Sequence, residues 1–377
     1  MKPAIPFNKP FMTGRELYNI AQAHFSGRLA GDGQYTQRCH AELQRLTGTR
    51  KALLTQSCTA ALEMSAILAG IAPGDEVIMP SFTFVSTANA FVLRGGVPVF
   101  ADVRPDTLNI DETKIEALLT PRTRAIVVVH YAGVVCEMQP ILDIAARRGL
   151  TVIEDAAQAI LSTWHGQHAG TFGRFGTLSF HETKNVISGE GGALLVNTAE
   201  DAERAEIVRE KGTNRAQFFR GQTDKYTWCD IGSSFLPGEL TAAFLAAQLD
   251  EARTITDRRL QLWARYHEAF ADLESRGLLR RPVVPAHCAH NAHMYYVLLE
   301  DLAARTRLIE WLKADGILAV FHYVPLDTSP FGQRFERAAS ACPVTADASD
   351  RLLRLPLWLG LEAEQPRVIE RVRAFFG

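Results

Sequence analysis

No stretch of this 377-residue chain approaches the roughly 20 consecutive apolar residues of a membrane helix. The longest apolar runs, such as RAIVVVHYAGVV, are short and β-branched, which suits buried strands. The opening MKPAIPFNKPF has no apolar h-region, so no signal peptide is expected. No CxxC occurs, and the six cysteines (Cys39, Cys58, Cys136, Cys229, Cys288, Cys342) lie far apart. Reduced thiols in a cytoplasmic protein are therefore expected. An excess of one charge sign is also missing: 40 Lys and Arg face 42 Asp and Glu, a net of -2. That balance offers no electrostatic reason to expect nucleic acid or an anionic membrane as partner. Any anionic ligand must be held by local groups. No G-x-G-x-x-G follows the first strand and no G-x-x-x-x-G-K-[ST] occurs, which removes the main support for a dinucleotide oxidoreductase or a P-loop enzyme. There is no internal repeat and no low-complexity tract. HCAHNAH groups His287, His290 and His293 around Cys288, but no second cluster completes a tetrahedral set, so no metal is expected. HGQH, with His165 and His168, reads as a turn.

What is present is an ordinary globular composition, 47% hydrophobic and 22% charged, in a chain too long for one compact core. Two domains are the expectation. From about residue 50 to 200, strand-like runs alternate with helix-like ones: KALLTQ, DEVIMPS, VPVFADV, RAIVVVHY and TVIEDAA are each followed by helical or loop segments. This βαβα rhythm predicts a parallel sheet with helices on both faces. After about residue 240 a helical run, GELTAAFLAAQLDEARTITDRRLQLWARYHEAFADLESRG, is too long to continue without a bend. Strand-like AHMYYVLLE and AVFHYVPL come later. The division expected is a large α/β domain over residues 1–250 and a smaller α+β domain over 251–377.

Three local features carry chemistry. In QSCTAALEM a strand ends near Leu54, and Ser57 and Thr59 stand where a helix begins. Hydroxyls there cap free backbone N–H groups, and the same N–H groups can bind a phosphate. In TVIEDAAQA, Asp155 sits at the carboxyl end of a buried parallel strand, the edge where open α/β sheets bind ligands. A carboxylate there either caps the next element or meets a positive partner such as a protonated ring nitrogen. In SFHETKN, Lys184 leaves a short strand ahead of GEGG, whose Gly189, Gly191 and Gly192 allow close backbone approach. Taken alone, Lys184 reads as a surface cation. An electron-sink cofactor, however, needs a lysine, a carboxylate on its pyridine nitrogen and an anion site for its phosphate. The chain carries phosphate cap, carboxylate and lysine in that order.

SCTAALEM, PSFTFVSTANA, EDAAQ, SFHETKN and GEGG together resemble the sugar-nucleotide aminotransferases, from IPFNKP near the start to LPLWLGL near the end. The resemblance implies fold type I, the aspartate aminotransferase-like α/β architecture, with pyridoxal 5'-phosphate as cofactor. It implies that Lys184 bonds the cofactor aldehyde and that Asp155 pairs with the ring nitrogen. Phe84 would cover the ring. Thr59, the backbone N–H of Ala60 and the hydroxyl of Ser179 would hold the phosphate, and Gln158 would approach the phenolic oxygen. His322 and Tyr323 would face the sugar nucleotide. Two positions depart from the family pattern. Leu236 stands where relatives place an asparagine reaching the partner subunit's phosphate, leaving Ser233 or Ser234 as the hydroxyl for that contact. Asp327 stands where relatives often carry histidine.

The implied reaction transfers the amino group of L-glutamate to C4 of a 4-keto-6-deoxy sugar. The implied acceptor is dTDP-4-keto-6-deoxyglucose and the implied product dTDP-4-amino-4,6-dideoxygalactose, for surface polysaccharide or lipopolysaccharide. A homodimer with shared active sites belongs to the same implication. The alternatives are a 3-aminotransferase acting on a 3-keto sugar and a non-enzymatic regulatory relative. Family dehydratases replace the lysine by histidine, which Lys184 argues against.

Overall fold

The computed structural model describes residues 4–335 and 342–377. The alternating first half folds into β1 (Lys51–Thr55), β2 (Glu76–Pro80), β3 (Val97–Ala101), β4 (Thr123–Val129) and β5 (Thr151–Asp155). A short pair follows, β6 (Thr163–Trp164) and β7 (Gln167–His168), and then β8 (Phe175–Ser179) and β9 (Gly192–Val196). Seven of these strands form one sheet in the order β1-β9-β8-β5-β4-β2-β3. Strands β2, β3, β4, β5 and β8 are parallel, whereas β9 is antiparallel to both β8 and β1. The sheet is thus mixed, and β1 and β8 point the same way.

Side-chain alternation builds a core on each face. Leu54, Ile78, Ile126, Val128 and Leu178 pack under helices Gln34–Thr47, Met138–Arg148 and Glu239–Asp250. Their sequence neighbours Leu53, Val77 and Val127, and Leu194 of β9, face the other way, under helices Cys58–Leu68 and Ala199–Arg209. Burial on both faces explains the near-continuous apolar strands.

The long helical run breaks, as its length requires, into Glu239–Asp250, Ala252–Ala269 and Ala271–Ser275. Helical dihedrals are lost at Glu251 (φ -103, ψ 8) and Phe270 (φ -108, ψ 9). Beyond it, β10 (Cys288–Ala289) pairs with β6, and β11 (Tyr295–Leu298) pairs antiparallel with β12 (Leu352–Leu355). A separate apolar cluster surrounds this second pair; it contains Tyr266, Tyr295, Val297, Leu353 and Val368, and Ile5 from the start of the chain.

AVFHYVPL differs from its expected strand. Only Val320 bridges, to Arg354. Further along, the backbone turns to the large sheet: Leu326 N donates to the Ser81 carbonyl at 3.2 Å and Asp327 N to Ser81 Oγ at 3.1 Å. These bonds carry the segment off the small sheet and over the carboxyl ends of the large one. Among the described residues, no helix is long and apolar enough to cross a membrane.

Candidate active site

Strands β1, β2, β4, β5 and β8 deliver their carboxyl ends to one edge of the sheet, where a ligand crevice is expected in an open α/β fold. A cavity of about 610 Å³ lies there. Its lining includes Ser57, Thr59, Phe84, Asp155, Gln158, Ser179 and Lys184 from the large sheet, and His322 and Tyr323 from the C-terminal half.

Asp155 closes β5 and is 6% exposed. Its Oδ2 accepts from Thr87 Oγ1 at 2.7 Å and its Oδ1 from the Ala157 N–H at 3.1 Å. Burial pushes this carboxyl above its usual range, while the Thr87 and Ala157 bonds and the nearby Lys184 act in the opposite sense. No described cation forms an ion pair with it. A carboxylate so placed gains most from a protonated nitrogen brought in by a ligand.

Lys184 follows β8 in the loop, where its N–H donates to the His181 carbonyl at 2.9 Å. It is half-buried and lines the cavity. Desolvation lowers its pKa; Cys58 and Asp155 oppose that shift and Arg354 adds to it. A lowered lysine pKa is what a nucleophile or base at neutral pH requires.

The helix Cys58–Leu68 opens at the cavity with Ser57 as its N-cap, its Oγ accepting from Ala60 N at 3.0 Å. The Ala60 N–H is therefore engaged by the cap, and Ala60 itself is buried. Thr59 Oγ1 bonds Ser86 Oγ at 2.8 Å, so three hydroxyls gather at this helix start. One glycine makes the arrangement possible. A Cβ on Gly192, the first residue of β9, would lie 2.4 Å from Cys58 N and 2.4 Å from the Ser57 carbonyl carbon. Ser179, paired with Gly192 across β8 and β9, is buried and lines the cavity.

Phe84 precedes helix Val85–Val92 and is 57% exposed, its ring centroid 6.4 Å from that of Tyr323. Gln158 is held at both ends: Oε1 accepts from Ala132 N at 2.7 Å, and Nε2 donates to Tyr323 Oη at 2.8 Å. His322 stacks on Tyr323 with 3.7 Å between centroids, and its Nδ1 is 2.7 Å from Tyr131 Oη. Burial, with Arg354 and Lys184 nearby, drives the His322 pKa well down.

Ser233 is exposed and lies outside this cavity; its carbonyl accepts from Lys211 N at 2.9 Å. Leu236 packs toward Gly31, where an added Cβ would sit 2.6 Å from Leu236 Cδ1. Asp327 is buried and accepts from Ser81 Oγ at 2.5 Å, which fastens the turn after Tyr323 to the end of β2. The histidines of HCAHNAH diverge. His287 Nε2 meets Glu137 Oε1 at 2.6 Å, His290 lies against Trp263 at 4.5 Å, and His293 Nδ1 approaches Asn185 Oδ1 at 3.1 Å inside the cavity.

Several residues of the site escaped sequence reasoning: Asn8, Arg259 and Arg354 line the cavity, and buried Thr87 bonds Asp155. Arg354 had a signal, since a cation interrupts the otherwise apolar LLRLPL. Thr87 had none beyond lying within VSTANA.

The donor set suits pyridoxal 5'-phosphate. Asp155 has no ion-pair partner among the described residues, Lys184 is a desolvated amine, the capped helix start offers hydroxyls and backbone amides, and Phe84 leaves a ring face uncovered. Comparison with known proteins agrees. A family model described as the DegT/DnrJ/EryC1/StrS aminotransferase family matches residues 11–373. The spore coat polysaccharide biosynthesis protein SpsC of Bacillus subtilis is 34% identical over 381 residues, covering 98% of this chain and 96% of that protein. The aminotransferase TlmJ from Streptoalloteichus hindustanus superposes with a TM-score of 0.89 at 29% identity, over 99% of each chain. DesI, solved in the presence of its TDP-sugar product, superposes with a TM-score of 0.87 at 29% identity, over 99% of this chain and 93% of its own. Sheet order, cavity chemistry and full-length likeness lead to one statement: this chain belongs to the DegT/DnrJ/EryC1/StrS aminotransferase family and is a pyridoxal-phosphate-dependent enzyme of fold type I.

Proposed function

We propose that this enzyme moves the amino group of L-glutamate to C4 of a nucleotide-linked 4-keto-6-deoxy sugar. The acceptor we assign is dTDP-4-keto-6-deoxyglucose and the product dTDP-4-amino-4,6-dideoxygalactose. The observation that carries the proposal is the placing of Lys184 and Asp155 in one cavity of about 610 Å³ with a capped helix start. DesI with its TDP-sugar product supports a sugar nucleotide as substrate, and the name of SpsC supports a surface polysaccharide as destination. The choice of C4 over C3 rests on the motif resemblance.

Bound pyridoxal phosphate supplies an aldehyde that takes up the amino group and a ring that accepts the electron pair of a broken C–H bond. The protein does the rest. Thr59, Ser179 and the amides at the start of helix Cys58–Leu68 would hold the phosphate, aided by the positive end of the helix. Phe84 would cover the ring and Gln158 would approach its phenolic oxygen. Asp155 would keep the proton on the ring nitrogen. Lys184 Nζ, whose ammonium form burial disfavours, would remove the proton from the donor's α-carbon and later deliver a proton on the acceptor side. His322 and Tyr323 face the sugar. Over a full cycle glutamate becomes 2-oxoglutarate and the keto sugar becomes the amino sugar.

The same reading takes residues 1–250 as the cofactor-binding unit and 251–377 as the unit that closes over it, with Ile5 packed into the latter. It takes the functional form as a cytoplasmic homodimer in which Ser233 serves the partner's site. Purified enzyme incubated with glutamate and dTDP-4-keto-6-deoxyglucose should release 2-oxoglutarate and a sugar aminated at C4, read by coupled assay and NMR. No 2-oxoglutarate would end the proposal, and amination at C3 would transfer it to the 3-keto class.

A further inference from the structure

His322 and His293 both line the cavity, and each commits Nδ1 to a buried partner. Tyr131 follows β4 and is fully buried, with its ring centroid 5.2 Å from Phe82 and 5.9 Å from Tyr296. Its Oη lies 2.7 Å from His322 Nδ1 and has no other partner among the described residues. Asn185 is the residue after Lys184. Its Nδ2 donates to the Asn291 carbonyl at 2.7 Å, and its Oδ1 lies 3.1 Å from His293 Nδ1. Nε2 of each histidine has no partner among the described residues and stays accessible.

An uncharged imidazole has one donor and one acceptor nitrogen, and the bond made at one fixes the role of the other. Burial, with Lys184 and Arg354 near both rings, pushes the pKa of His293 and of His322 well down and so favours the uncharged forms. If His322 Nδ1 carried the hydrogen, Tyr131 Oη would accept it, and the buried phenol hydrogen would have nothing to receive it. With the phenol as donor both groups are satisfied, and the imidazole hydrogen sits on Nε2. At His293 the reverse holds. A carbonyl only accepts, so the Asn185 group facing Asn291 is its NH2 and the group facing His293 is its oxygen. Nδ1 of His293 must donate, which leaves a lone pair on Nε2. A carboxylate or phosphate only accepts, so it can use the first ring but not the second. A sugar hydroxyl both donates and accepts, and can use either.

We infer that Tyr131 and Asn185 are positioning residues that lock the two cavity histidines in opposite tautomers, His322 as an Nε2–H donor and His293 as an Nε2 acceptor, a pair suited to the hydroxyl groups of the acceptor sugar. The choice of ligand rests on the reaction proposed above; the tautomers do not. The test is nitrogen NMR of the holoenzyme carrying isotopically labelled histidine, with His322→Asn and His293→Asn assigning the two signals. Wild type should show the hydrogen on Nε2 in His322 and on Nδ1 in His293. Tyr131→Phe should abolish the preference at His322 alone, and Asn185→Leu that at His293 alone, shifts that a purely packing role would not produce. In steady state Tyr131→Phe should raise the KM for the sugar nucleotide about ten-fold, the loss of one well-made hydrogen bond, while the KM for glutamate holds. If a variant does not fold, the wild-type spectrum decides by itself. The same tautomer in both rings, a His322 signal or a sugar-nucleotide KM unmoved by Tyr131→Phe, or an equal rise in both KM values would overturn the inference. Opposite tautomers in an enzyme that aminates no keto sugar would instead remove the proposed reaction and leave the locking in place.

Discussion

Thr87→Val tests how the cavity governs Asp155. The substitution exchanges a hydroxyl for a methyl on a buried side chain and removes the 2.7 Å bond from Thr87 Oγ1 to Asp155 Oδ2. A hydrogen bond to a charged group contributes about 1.5–3 kcal/mol. Its loss raises the Asp155 pKa further, in the direction in which burial already pushes it. Thr83 Oγ1, 2.8 Å from Thr87 Oγ1, loses a partner as well. A carboxylate less able to ionise holds the ring-nitrogen proton less well, so cofactor affinity and kcat should each fall about ten-fold or more. The assay is titration of cofactor-free protein with pyridoxal phosphate by absorbance, followed by turnover at saturating cofactor. Thr87→Ser, which keeps the hydroxyl, should recover most of both. A valine variant matching wild type, or a serine variant as poor as valine, would refute the reasoning.

Gly192→Ala places a methyl 2.4 Å from the backbone at Ser57 and Cys58, so the capped helix start must move. A loss of about 1–3 kcal/mol in denaturant unfolding is expected, as for an overpacked core, together with weakened cofactor binding; full retention of both would mean the strand yields freely. Lys184→Met should stabilise the cofactor-free protein at neutral pH. The folded-state pKa of Lys184 is lowered, so the folding penalty is complete below that pKa. It shrinks as pH rises through it and vanishes above about 10.4, the unfolded value. Urea unfolding at several pH values should show the gap between variant and wild type narrowing at alkaline pH. A variant no more stable at pH 7 would contradict the lowered pKa.

Much of the site was legible because its parts sit at places that local pattern marks. Asp155 ends a β-branched run, Ser57 and Thr59 stand where strand gives way to helix, and Lys184 follows a short strand ahead of glycines. Each ends or follows a strand of the same direction: β5 and β8 pair in parallel, and β1 points the same way across antiparallel β9, so the three strand ends reach one edge. Where pattern misled, a distant bond was the cause. AVFHYVPL alternates like a strand but turns away because Leu326 and Asp327 bond Ser81, 246 residues from Asp327 in sequence.

The amino-acid order alone determined the alternating α/β architecture and the order cap, carboxylate, lysine, since both depend on short-range periodicity and on which residue ends each strand. Folding alone decided which groups face those three. Thr87 meets Asp155 across 68 residues of chain, and Arg354 reaches the carbonyl of Phe321 across 33. Contacts closed over such separations follow from how helices and sheets pack, and packing is a property of the whole chain rather than of any window along it.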